Sequence, residues 1–138
     1  MKLNAYLMVL TAVMAASFAF GPEAAAQQQN EGPDLFEQAE AEADRLQRIL
    51  DLEDWQVFYV DSTLKHDFTA MIADYEELRA SKVENATMYQ NVQDRWASKI
   101  DSTYRRIFTE SQWKAYLKSG AGKAIKAREK RRMKAQEK

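Results

Sequence analysis

Residues 52–81 read LEDWQVFYVDSTLKHDFTAMIADYEELRAS, and this stretch decides the fold. Within it Val57, Val60, Leu64, Phe68, Met71, Tyr75 and Leu78 recur at steps of three and four residues. That spacing puts an apolar side chain on the same side of a helix at every turn, close to the seam of a coiled coil. The surroundings agree. Neither glycine nor proline occurs between Asp34 and Ser119, and the stretch is rich in Ala, Leu, Glu, Gln, Lys and Arg. Such residues lose little side-chain freedom on entering a helix. An all-α chain is expected. Long helices in so small a protein bury little apolar surface alone, which favours pairing with a second copy.

Working outward, the periodicity predicts a first helix over 33–50, with Leu35, Ala39, Leu46 and Ile49 on one side. Proline suits its first turn, and Asp34 and Glu37 complement the positive helix end. A second helix runs over 52–81, its apolar surface widened by Trp55, Phe58 and Tyr59, and 81–86 is the turn that follows. Thr87-Met88-Tyr89-Gln90 has the form of a capping box, in which threonine accepts from the N–H three residues on and glutamine reaches back. Tyr89, Val92, Trp96, Ile100, Thr103 and Ile107 form the stripe of a third helix. Thr109-Glu110-Ser111-Gln112 repeats the box, with Phe108 and Trp113 placed as a hydrophobic staple. A fourth helix then weakens at Gly120 and Gly122, and residues 123–138 read as a frayed helix or mobile arm.

The start of the chain has a different character. Lys2, an apolar run from Tyr6 to Phe20 and the small residues Ala24-Ala25-Ala26 have the form of an export signal cleaved near Ala26. The apolar run is shorter than the roughly 18–20 residues that span a bilayer. The expected organisation is a signal peptide over 1–26, a helical domain over 27–119 and a basic C-terminal arm over 120–138. With no cysteine, neither a disulfide framework nor a bacterial lipid anchor is available. An exported protein works without ATP. Charge is divided: residues 27–117 carry 18 acidic and 10 basic side chains, residues 118–138 nine basic and two acidic.

Phe108-Thr109-Glu110-Ser111-Gln112 resembles the L-T-x-x-Q motif of the Spy/CpxP family of exported helical proteins, and Leu52-Glu53-Asp54-Trp55-Gln56 stands where that family's other motif would. The resemblance covers residues 50–118. It implies three to four long helices in a thin helical-hairpin or cradle arrangement, with an antiparallel homodimer as its assembly. It also implies a periplasmic, ATP-independent chaperone or stress-response modulator. Leu52, Gln56, Phe108, Thr109, Gln112 and Trp113 are then structural residues that start helices through caps and staples. The first motif has Glu53 in place of threonine and the second has phenylalanine in place of leucine. The first cap is therefore expected to move to Asp51, with Leu50 and Trp55 as its staple.

Residues that could carry chemistry are few. His66 is the only histidine, and beside Lys65 and Asp67 it reads as a solvated helix residue. Glu76 and Glu77 are sequence neighbours and so point about 100° apart on a helix, which prevents their converging on one atom. The acidic run over 37–44 reads likewise as a solvated face. The expectation is no enzyme, no metal and no cofactor. Aromatic residues are abundant. Trp55, Tyr59, Trp96 and Tyr116 are the candidates for a polypeptide-binding surface, against the alternative that they fill the core. The arm over 118–138 suits an anionic membrane surface or acidic clients rather than nucleic acid, because no stacking aromatics follow Tyr116. Val60-Asp61-Ser62-Thr63-Leu64 and Ile100-Asp101-Ser102-Thr103-Tyr104 echo one another, as a duplicated helical unit would. Asn85-Ala86-Thr87 is a glycosylation sequon, and the Asp-Ser-Thr pairs are further candidate modification sites.

Overall fold

The computed structural model describes residues 34–137, and all regular structure among them is helical. The protein is all-α. The export-signal reading, residues 27–33 and the proline expected at the first helix start lie outside the described residues. Contacts divide the chain into two compact units, one of them Leu35–Ala115 and the other containing Tyr116 and the residues after it.

The first unit is built on α1 (Leu35–Leu50), α2 (Asp54–Ala80), α3 (Ala86–Ile107) and the start of α4 (Glu110–Tyr116). Helix α2 is central, with α1 and α3 both packed against it. Glu40 of α1 meets Lys65 of α2, so these two helices run in opposite directions from their short connection. Tyr75 near the end of α2 stacks on Tyr89 near the start of α3, while Gln56 reaches Ile107 at the far end. Those two helices therefore also run oppositely.

The core follows the α2 stripe. Val60, Leu64, Phe68, Met71 and Tyr75 are buried, whereas Val57 and Leu78, at the ends of the run, are half-buried. Burial pushes the Tyr75 hydroxyl well above the ordinary tyrosine range, with the nearby Asp94 charge adding to it. On α1 the buried line is Ala39, Ala43, Leu46 and Leu50, while Ile49, expected inward, is exposed. A run at steps of four, three and four closes one face with Leu50, and Ile49 lies about 100° away. Two alanines on that face let α1 approach α2 closely. On α3 the apolar stripe is only half-covered: Val92 and Tyr104 are buried, but Tyr89, Trp96, Ile100, Thr103 and Ile107 are intermediate.

Helix ends correct two expected caps. Helix α1 stops at Asp51, whose φ is 54°, and the Leu52 N–H then donates to the Gln47 carbonyl at 3.3 Å. Lys82, with φ 57°, ends α2 in the same way, and Val83 donates to Leu78 at 3.0 Å. These are Schellman closures made without glycine, so no glycine announced them. A residue held in that left-handed conformation to close α1 is not available to cap α2, and the cap is Glu53, in extended backbone at φ −74° and ψ 158°. Helix α3 starts two residues earlier than expected. Asn85 is its cap and accepts from the Thr87 N–H at 2.9 Å, which leaves Thr87 inside the first turn. Gln90, freed from any box, donates to Gln93 and Asp94.

In the second unit a π-helical turn over Leu117–Ala121 leads into α5 (Gly122–Gln136). Gly120 has φ 112°, a conformation open to glycine, and a Cβ on Gly122 would meet the Leu117 carbonyl oxygen at 2.9 Å. The two glycines bend the helix and let it continue. The arm read as frayed or mobile is helical through Gln136, with a Glu129–Arg132 pair one turn apart. Its cationic side chains are largely exposed. No helix among the described residues is long and apolar enough to cross a membrane.

Candidate functional site

Two features of the first unit bear on function, a polar clamp between the two motifs and an aromatic surface beside it.

The clamp is made by two glutamines 56 positions apart. Each serves its own helix first. Gln56 Oε1 accepts from the Glu53 N–H at 2.9 Å, while the Glu53 side chain takes the Gln56 N–H, a complete box with glutamate in the threonine position. Gln112 Oε1 accepts from the Thr109 N–H at 2.9 Å, and Thr109 Oγ1 accepts from the Gln112 N–H at 3.2 Å. The amide nitrogens then cross over. Gln56 Nε2 donates to Gln112 Oε1 at 2.7 Å and to the Ile107 carbonyl at 2.9 Å. Gln112 Nε2 donates to Gln56 Oε1 at 3.2 Å and to the Asp51 carbonyl at 3.3 Å. Each nitrogen thus finds the carbonyl two residues before the other helix's cap, an approximate two-fold relation. Gln56 is buried, whereas Gln112 is half-buried.

The remaining motif residues surround this pair. Leu52 and Phe108 are buried, and the Phe108 ring stacks on Tyr104 with centroids 5.0 Å apart. Phe108, in extended backbone at φ −85°, ends α3 before Thr109 starts α4. Trp113 is half-buried under the Arg105 guanidinium, 5.4 Å from its ring centre. Arg105 also pairs with Glu110 at 3.0 Å, and this holds the Glu110 carboxyl below its ordinary range.

The aromatic candidates fall into three environments. Trp55, Phe58 and Tyr59, on the first turns of α2, are 50, 66 and 52 % exposed. Tyr59 meets both others edge to face, with centroids 6.1 and 5.9 Å away. The Trp55 indole N–H donates to Glu53 Oε2 at 2.6 Å, which fixes the ring by the same carboxylate that caps the helix. Trp96 is half-buried in the α2–α3 contact. Its indole N–H donates to Asp74 Oδ2 at 2.7 Å, and Lys99 lies 4.7 Å from its ring centre. Arg95 reaches the same Asp74 oxygen at 2.6 Å. Trp96 is thus engaged in packing, and Tyr116 is buried. Burial takes Tyr116 out of the expected surface, whereas Trp96 stays half-exposed with its indole N–H held by Asp74. Phe58 joins Trp55 and Tyr59 in it, and its place three residues after Trp55, on the neighbouring turn, was the signal for it.

Titratable groups elsewhere are engaged structurally. His66 is exposed, with Nδ1 2.8 Å from the buried Asp67 carboxylate. Glu42 is buried and held by both oxygens to Arg45 at 2.8 Å. Burial lifts its carboxyl above the ordinary range despite that partner. Among the described residues, no three His, Cys, Asp or Glu side chains converge as metal ligands would. Comparison with protein-family models, curated proteins and solved structures finds no match for this chain.

Proposed function

We propose that this is an exported, non-enzymatic protein that binds unfolded or partner polypeptides without ATP, in the manner of the Spy/CpxP family it resembles. The observation that carries this reading is the exposed Trp55–Phe58–Tyr59 cluster. Three large rings on one helix face in water have a free energy cost that contact with apolar segments of another chain would relieve. The clamp supports the reading from below, because it holds the start of α2 and the cluster on it in a fixed place. In an aggregation assay without ATP, a several-fold molar excess of the protein should delay light scattering by a denatured client. No protection at that excess would sink the chaperone reading.

A second reading, an envelope component attached to an anionic surface, is favoured by the exposed cationic side chains of α5. Removing residues 120–138 separates the two. Loss of attachment to anionic vesicles with aggregation suppression intact supports the second reading, and suppression lost on removal of the arm counts against the Trp55–Phe58–Tyr59 cluster as the client surface.

A further inference from the structure

We propose that the surface at the start of α2 selects polypeptide segments in which lysine or arginine stands next to apolar side chains. This rests on the polypeptide-binding reading and names the class of segment it takes.

Three other accessible rings among the described residues each have a cation of the chain against them. Phe36 has Lys65 5.4 Å from its centre, Trp96 has Lys99 at 4.7 Å and Trp113 has Arg105 at 5.4 Å. In each case a cation of the chain itself covers the electron-rich ring. At Trp55, Phe58 and Tyr59 the surroundings have the opposite sign. Asp51, Glu53 and Asp54 are all exposed. Glu53 is bonded to the Trp55 indole, and Asp54 precedes Phe58 by one helical turn. Among the described residues, no Lys, Arg or His nitrogen pairs with any of these three carboxylates.

Three exposed rings on the first turns of α2, with the exposed carboxylates of Asp51, Glu53 and Asp54 at its start, present one chemistry. An incoming ammonium or guanidinium gains from the ring quadrupole and from the carboxylates at once, and adjacent apolar side chains cover the exposed rings. An acidic segment meets repulsion from the same groups. The bond from Glu53 to the indole N–H orients the Trp55 ring before anything binds, so little side-chain freedom remains to be lost.

The test uses the purified protein and three labelled peptides of equal length, alternating leucine with lysine, serine or glutamate, followed by fluorescence anisotropy. The lysine peptide should bind roughly tenfold tighter than the glutamate peptide, and the preference should fade between about 50 and about 500 mM salt. The triple variant Asp51→Asn, Glu53→Gln, Asp54→Asn keeps side-chain size and the hydrogen-bond acceptors, and asparagine tolerates the left-handed backbone at position 51. With its circular dichroism unchanged, it should bind the lysine and serine peptides within about twofold of each other. Trp55→Ala with Phe58→Ala should weaken both by at least about fivefold. Equal binding of the three peptides by the parent protein, or a preference untouched by the neutral variant, overturns the inference and leaves the broader reading standing. Binding of none of them sinks both. Self-association abolished by Trp55→Ala with Phe58→Ala but unchanged in the neutral variant also overturns it, since a second copy would then be the apolar occupant.

Discussion

Replacing Gln56 by alanine tests the clamp most directly. The side chain is 2 % exposed and makes four hydrogen bonds: to the Glu53 N–H, to the Ile107 carbonyl and two with the Gln112 amide. Truncation leaves the Ile107 carbonyl and the Glu53 N–H with no side chain to meet them. An unsatisfied buried group costs about 1–3 kcal/mol and a lost cap about 1 kcal/mol, so Gln56→Ala should destabilise the protein by about 3 kcal/mol. Gln112 is half-buried, water can replace part of its bonding, and Gln112→Ala should cost about 1–2 kcal/mol. The two residues share bonds, so the double variant should cost about 1 kcal/mol less than the single effects together. Urea unfolding followed by circular dichroism measures all three, and each kcal/mol should move the melting temperature by roughly 4–8 °C for a unit of this size. An isosteric change sharpens the argument. Gln56→Glu keeps an acceptor for the Glu53 N–H but sets a carboxylate against the Ile107 carbonyl, so that variant should gain stability as pH falls and its carboxyl protonates. Single costs that add to within about 0.3 kcal/mol would refute the clamp as a coupled pair.

Lys82→Gly should stabilise by about 0.5–1 kcal/mol, because glycine adopts the φ of 57° without the steric cost lysine bears, and a lower urea midpoint would contradict that account of the α2 end. Asn85→Ala should cost about 1 kcal/mol and Thr87→Ala much less, the reverse of what the Thr87 box in the sequence predicts, and thermal melts of the two variants decide it. The Asp74 carboxyl is held below its ordinary 3.8, first by the Trp96 indole N–H and also by Arg95, so its contribution is present above that value and lost as pH falls through the depressed one. Asp74→Asn should therefore lower the melting temperature at neutral pH, where the carboxylate is charged, and bring it closer to the parent's as the pH falls well below 3.8. An equal difference across the range would remove Asp74 from the acid response.

The all-α class was legible because the α2 stripe is long and nothing breaks it, so period alone settles the reading. The caps were legible only in part. Thr109 and Gln112 form the box their spacing suggests, but Thr87 and Gln90 have the same spacing and form none. A box signature says that two side chains can reach each other, not where the chain turns, and Asn85, with a short side chain of its own, takes the cap first. The ends of α1 and α2 fall within a residue of where the periodicity stops, but the left-handed residues that close them, Asp51 and Lys82, carry no glycine mark in the sequence. The clamp itself was invisible. Each glutamine was read as serving its own helix, and only the antiparallel course of α2 and α3 brings residues 56 positions apart within 2.7 Å. The surface was half legible for a related reason: Trp55 and Trp96 both sit on amphipathic helices, and α3 packing against α2 engages the second ring while leaving the first in water.

The departure of the first motif from threonine ties the clamp to the surface, and it can be reversed. Glu53 does two things with one carboxylate: it takes the Gln56 N–H that starts α2, and at 2.6 Å it holds the Trp55 indole N–H. Thr109, at the equivalent place in the second motif, takes the Gln112 N–H alone. A threonine oxygen sits two carbons nearer the backbone and cannot make both bonds. Glu53→Thr should thus keep the box, with stability changed by less than about 1 kcal/mol, since threonine is a good cap. The same substitution removes a charge from the aromatic surface and frees the ring. Fluorescence anisotropy decay should then report a more mobile indole, and the lysine–leucine peptide should bind at least about threefold more weakly with the fold intact. If Glu53→Thr unfolds the protein, the carboxylate supports the clamp in a way threonine cannot, and the equivalence of the two motifs is wrong. If both stability and peptide binding are unchanged, Glu53 is a cap and nothing more, and the aromatic cluster owes its selectivity to other groups.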